Sequence, residues 1–105
     1  MNEVYVSGKI VKLQRRPVPP DTDRFKFVLQ VTHRLPTNQI TIDNFVVYTW
    51  NNAAKWAAQN LQSGDEVLVK GSLTHMHSDD VRPTVISALR VIITQHNSPQ
   101  APRNE

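Results

Sequence analysis

Tyr48 and Trp50 stand two residues apart at the end of Phe45–Trp50, a stretch that is apolar or β-branched throughout and suits a strand. Residues i and i+2 of a strand share a face, so the two rings lie side by side, opposite Phe45 and Val47. A flat aromatic on an exposed sheet face offers a nucleobase a surface to stack on, worth about 1–3 kcal/mol per base and indifferent to base identity. Residue chemistry leaves a second disposition open: an indole covered by a loop or a subunit contact. Stacking needs cations to hold the phosphates. The candidates are Lys9, Lys12, Arg15, Arg16, Lys26, Arg34, Lys70 and Arg82. Singly each is an ordinary solvated cation; as a set they can line a groove.

Other chemistry finds little support. His75 and His77 project the same way from one strand, but two imidazoles without a third ligand make a poor zinc site. No Ser–His–Asp order or paired-carboxylate setting stands out, and three glycines provide no phosphate-cradling loop. Zero cysteines exclude disulfides and thiolate metal centres. The expectation is a non-enzymatic chain without metal or cofactor.

The elements that must position these residues follow from periodicity. Glu3–Leu13 alternates, with Val4, Val6, Gly8 and Ile10 on one face and Tyr5, Ser7, Lys9 and Val11 on the other. Gly8 in mid-strand marks a bend or a close backbone approach. Gln14–Asp23 holds prolines and turn-forming aspartates, and reads as a stiff loop rather than a polyproline ligand for a partner domain. Arg24–Arg34 alternates again. Phe25, Phe27, Leu29, Val31 and His33 point to the core, with Lys26 and Arg34 on the outer side. Leu35–Gln39 is a hairpin connection and Ile40–Trp50 a third strand. Asn51 or Asn52 is a candidate cap for a helix over 53–62, on which Ala53, Trp56, Ala57, Asn60 and Leu61 share a face. Trp56 is therefore expected to pack on the barrel end. Gly64 supplies a positive φ to end the helix. Glu66–His77 is a fourth strand, in which Gly71 permits a sharp bend. Arg82–Thr94 is a fifth. Three strands, a helix and two strands is the order of an all-β, five-stranded OB-fold barrel, expected over residues 1–95, with 96–105 disordered.

Several of these stretches also resemble the bacterial single-stranded DNA-binding protein family. Asn2–Ile10 matches that family's opening strand and Lys26–Val31 its second. Val46–Trp50 matches the strand ending in an aromatic. Leu61–Gly64 matches "L-x-x-G", and Val67–Leu73 matches "V-x-V-x-G-x-L". The likeness covers roughly residues 2–95. It implies sequence-nonspecific binding of single-stranded DNA in replication, recombination or repair, with Trp50 at a base-stacking position. It also implies assembly as a homodimer or homotetramer through strand-one edges, where Tyr5 and Ser7 face outward. At three further positions where the family carries stacking tryptophans this chain has Leu35, Asn44 and Ser78, so binding should lean more on cations and be more salt-sensitive. The family's replicative members end in an acidic, phenylalanine-terminated tip; this chain ends Pro99–Glu105 without one. That suggests a short form, from a plasmid or phage, or a relative of the primosomal replication protein. Two rival readings remain: a replication-restart adaptor that chiefly holds proteins, and an RNA-binding OB domain.

Composition is consistent with this expectation. A chain of 105 residues is one small domain. No run of about 18 apolar residues could span a membrane, and the start lacks a secretory signal pattern, so a cytoplasmic, nucleoid-associated location is expected. Net charge is +3, unevenly placed. Residues 1–34 hold seven basic groups against three acids, and residues 35–105 five against six. A basic N-terminal part suits a phosphate-tracking surface, although an ordinary solvated surface has the same look.

Overall fold

The computed structural model describes residues 1–15, 18–75 and 84–97. Five strands close into a barrel: β1 (Val4–Leu13), β2 (Arg24–Arg34), β3 (Ile40–Trp50), β4 (Glu66–His75) and β5 (Thr84–Gln95), with helix α1 (Asn51–Asn60) between β3 and β4. The order around the barrel is β1-β2-β3-β5-β4. All neighbouring pairs are antiparallel except β3 and β5, which run parallel and meet through Val47↔Ile86 and Tyr48↔Ser87. This is the OB-type architecture expected from the element order.

The inner parity of each strand fills the barrel except along the β2–β3 arm, where His33, expected on the core side, is exposed and hydrogen-bonds Asp43 at 2.9 Å. Ile10, Phe25, Phe27, Leu29, Val47, Val67, Val69 and Ile86 are buried in one cluster. Thr49 is buried among them, and its hydroxyl donates to the Phe25 carbonyl at 2.8 Å, so its own burial leaves no unmet donor. The β2–β3 hairpin turns where expected: Leu35 N–H donates to Gln39 O at 2.7 Å. Asn38 takes the left-handed conformation there, with φ 74°, which asparagine tolerates better than most residues.

Among the described residues, three register shifts shape the wall. The β1–β2 register shifts between Ile10 and Lys12, leaving Val11 as the extra residue and turning both Val11 and Lys12 to solvent. The β4–β5 register shifts at Glu66/Val67 and at Lys70/Gly71. At the second shift Leu89 is the unopposed residue, and it is 73% exposed. Gly71 is the bend anticipated there: a Cβ on it would run into the Ser87 carbonyl oxygen. Gly8 likewise lies against the Gln30 carbonyl.

The helix differs from expectation in three ways. It begins at Asn51, and its N-cap is Trp50 in extended conformation with no side-chain cap. Asn51 instead sits at φ 53° and donates its backbone N–H to Asp23 O at 2.8 Å. Asn51 therefore serves the turn from strand to helix through its backbone, not by capping. Second, the helix ends at Asn60 with Leu61 as C-cap; Gly64, at φ 94°, belongs to the later turn into β4. Third, Trp56 does not plug the barrel. Ala54, Ala57, Ala58 and Leu61 are buried, whereas Trp56 is 38% exposed. The face turned to the barrel is made of small side chains, which let the helix sit close over β2 and β3.

Fully buried Asp65 ties down the chain's exit from the barrel. Its carboxylate accepts from Gln62 N at 2.9 Å and Asn97 N at 2.8 Å, and the Asn97 side chain donates to Ser63 O at 3.1 Å. Asn97 packs on Gly64, where a Cβ would collide with it. Two residues of the expected tail are thus placed, His96 as well as Asn97, and the rest of it lies outside the described residues.

Candidate nucleic-acid interface

Alternation on β3 sends Val47 and Thr49 inward and puts Tyr48 and Trp50 outward. Their rings stack, with centroids 5.8 Å apart and planes 18° apart. Trp50 remains 38% exposed. Its indole N–H donates to the Ser87 hydroxyl at 2.8 Å across the β3–β5 junction. That bond fixes the ring's orientation without covering its face. The alternative of an indole sealed under a loop is therefore not what the fold produces.

Cations surround this pair. The β2–β3 register sets Arg24 opposite Trp50 and Lys26 opposite Tyr48. The Arg24 guanidinium carbon lies 5.8 Å from the Tyr48 ring centroid, within cation–π range. A cleft of about 340 Å³ lined by Gln14, Thr22, Asp23, Arg24, Lys26 and Tyr48 opens beside the ring, with one acid beside its two cations. A neighbouring cleft of about 250 Å³ is lined by Lys12, Gln14, Arg15, Lys26 and Val46, so the two share Gln14 and Lys26. Gln14 closes the start of the loop onto β2. Its backbone N–H donates to Lys26 O at 3.0 Å, and its side-chain oxygen accepts from Lys26 N at 3.1 Å. This clamp sets Arg15 and Lys12 beside Lys26. On the other side, Trp50 and Lys70 line a third cleft, of about 270 Å³.

The fold thus brings Lys12, Arg15, Lys26, Tyr48, Trp50 and Lys70 onto one track. Two of the expected cations lie apart from it. Lys9 occupies a row between Gln30 of β2 and Glu66 of β4, opposite an acid. Arg34 stands at the hairpin tip, hydrogen-bonded to Asn38 at 3.2 Å. It is ten residues along β2 from Arg24, roughly 33 Å at strand rise. Arg16 and Arg82 lie outside the described residues, as does His77. Among the described residues no three of His, Asp and Glu converge to hold a metal ion. Also among them, no helix is long and apolar enough to cross a membrane.

Arg24, Gln14 and Ser87 belong to this surface but were not among the expected site residues. Arg24 had a signal available. Once the turn is placed at Leu35–Gln39, counting outward pairs Arg24 with Trp50. Ser87 had none, because only the closed barrel brings β5 to β3.

Comparisons with known proteins identify the family and the fold. The profile of the single-strand binding protein family matches residues 1–98. Among solved structures, the small single-stranded DNA-binding protein from Streptomyces coelicolor is similar, with a TM-score of 0.66. It is 22% identical, over 87% of this chain and 90% of that one. No curated protein matches the sequence significantly. A fold of this order and a family profile spanning nearly its whole length place the chain in the single-strand binding protein family.

Proposed function

We propose that the chain binds single-stranded DNA without sequence preference, by stacking bases on Tyr48 and Trp50 and neutralising phosphates along Lys12, Arg15, Arg24, Lys26 and Lys70. The observation that carries this reading is the paired, partly exposed stack of Tyr48 and Trp50, held open by Ser87 and flanked by cations on both sides. Such a surface recognises the π-face and the backbone, which every nucleotide has, and makes few demands on base edges. Its role is that of a binding protein in replication, recombination or repair, acting in the cytoplasm on unpaired DNA, not that of an enzyme.

Assembly as a homodimer or homotetramer is part of the reading. The N-terminal half of β1, Val4–Gly8, pairs with β4, whereas the β1–β2 register begins at Lys9, so that half offers an edge for a second copy. Tyr5, 61% exposed, lies on the same segment. Light scattering of the purified chain should give a mass of two or four protomers; a monomer at micromolar concentration would refute this part.

The test of the function is a fluorescence titration with oligo-dT in a salt series, using a Trp56→Phe background so that Trp50 alone reports. Strong quenching, weakened steeply by salt, is expected; binding by Trp50→Ala, read from the anisotropy of a labelled oligo-dT, should be much weaker. Absence of quenching together with tight binding to a helicase or initiator would favour the replication-restart adaptor. Stronger binding to matched RNA than to DNA would favour an RNA-binding domain.

A further inference from the structure

The cleft on the far side of Trp50 is not an empty groove. It is lined by Trp50, Lys70, Ser72, Ser87, Leu89 and Glu3. Trp50 and the bulged Leu89 offer apolar surface, Ser72 and Ser87 offer hydroxyls from facing register positions, and Lys70 offers a cation. These groups suit one nucleotide: a base against the indole, a sugar or base edge on the hydroxyls, a phosphate on the ammonium. Glu3 does not fit that set. Its carboxylate stands 3.8 Å from the Lys70 ammonium. An acid in a phosphate-binding cleft repels the ligand.

The position of Glu3 is held by its neighbour. The Asn2 side chain donates to Leu73 O at 2.7 Å and accepts from Leu73 N–H at 3.0 Å, so it pairs with the β4 backbone as another strand would. This fastens the segment before β1 onto β4 and sets Glu3 beside Lys70. The Lys70 ammonium also lies 5.7 Å from the Tyr5 ring centroid, and Arg90 faces Lys70 across the sheet. Two like charges opposite each other are unfavourable, and Glu3 offsets that repulsion while the cleft is empty.

We infer that this cleft is a nucleotide subsite whose phosphate partner, Lys70, is held in reserve by Glu3. The inference rests on the reading of this face as a single-stranded DNA surface. Glu3 acts as a threshold. A free anion must compete with it at its bulk concentration. A phosphate of a strand already stacked on Trp50 arrives at a far higher effective concentration. Glu3 therefore favours polynucleotide over isolated phosphates and mononucleotides.

The test is oligo-dT binding by the full chain in a salt series, with wild type, Glu3→Gln, Lys70→Gln and the double variant. Glu66→Gln serves as a control that changes net charge equally. Glu66 lies four residues before Lys70 on β4, roughly 13 Å away, beyond the screening length of about 10 Å at 0.1 M salt. Glu3→Gln should tighten binding about two- to five-fold, the range of an exposed ion pair. It should also steepen the log–log salt dependence by up to about 0.7, because no displaced Glu3 carboxylate takes up a cation on binding. Both changes should vanish in the Lys70→Gln background, and Glu66→Gln should show neither. Wild-type binding with Glu3→Gln unchanged, or a gain that persists without Lys70 or appears equally in Glu66→Gln, overturns the inference and leaves the function standing. Failure of wild type to bind at all overturns both.

Discussion

The indole N–H of Trp50 donates to the hydroxyl of Ser87 at 2.8 Å, joining the end of β3 to a strand that reaches it through the barrel's parallel closure. An indole anchored in this way keeps its stacking face ready before any ligand arrives. Less ordering is then needed on binding.

Ser87→Ala should leave the barrel intact and free the ring. Oligo-dT affinity should fall by about 0.5–1.5 kcal/mol, the net worth of one hydrogen bond. The steady-state anisotropy of Trp50 should fall in the unliganded protein. Unchanged anisotropy would show that packing against Tyr48, not Ser87, orients the indole.

Tyr48 and Trp50 should act as one unit. Each alanine substitution alone should cost about 1–3 kcal/mol of binding. Their rings touch, so the double variant should cost clearly less than the sum. Strict additivity in the oligo-dT titration would mean that each ring serves a separate base.

Cation position, rather than cation count, should set the salt dependence. Lys26→Ala should flatten the log–log slope by about 0.7 and weaken binding. Arg34→Ala, far along the hairpin and bonded to Asn38, should change a short oligonucleotide's affinity little. Equal effects would place the hairpin tip on the same track.

Gly71→Ala should destabilise the fold. The added methyl group meets the Ser87 carbonyl oxygen, a backbone atom that cannot rotate away. The expected loss is about 1–3 kcal/mol, read as a lower midpoint in chemical denaturation. The strain would fall on Ser87, so affinity should drop with it. A variant of wild-type stability would show that β4 and β5 can part without cost.

Much of the barrel was legible because strand parity is a period-two signal. Phe25, Phe27 and Leu29 against Lys26 and Arg34 admit one inside and one outside, and the same count on β3 places Tyr48 and Trp50 outward. The bulge at Gly71 was legible from the glycine itself. That it frees Leu89 was not, since nothing in that residue's type marks a register shift; on β1, alternation already put Val11 outward, and the bulge turns Lys12 out beside it. Trp56 was misplaced for a physical reason. In a helix this rich in alanine the apolar stripe is too diffuse to fix a phase, and the large ring drew the expected face toward itself. The barrel instead selected the smallest side chains, Ala54, Ala57 and Ala58. Asn51 was misplaced because a left-handed asparagine beside a helix start looks, in sequence, like a cap. Ser87 and Arg24 show the remaining limit. A site assembled by tertiary closure can be read only after the closure is known.

Among the described residues, parallel β3 and β5 meet at two register pairs, Val47↔Ile86 and Tyr48↔Ser87. So brief a seam is where thermal breathing should begin, because few bonds must part for the cylinder to gape. The aromatic pair sits astride that seam. A strand of DNA laid across it would act as a stitch, so occupancy and the integrity of the cylinder rise together.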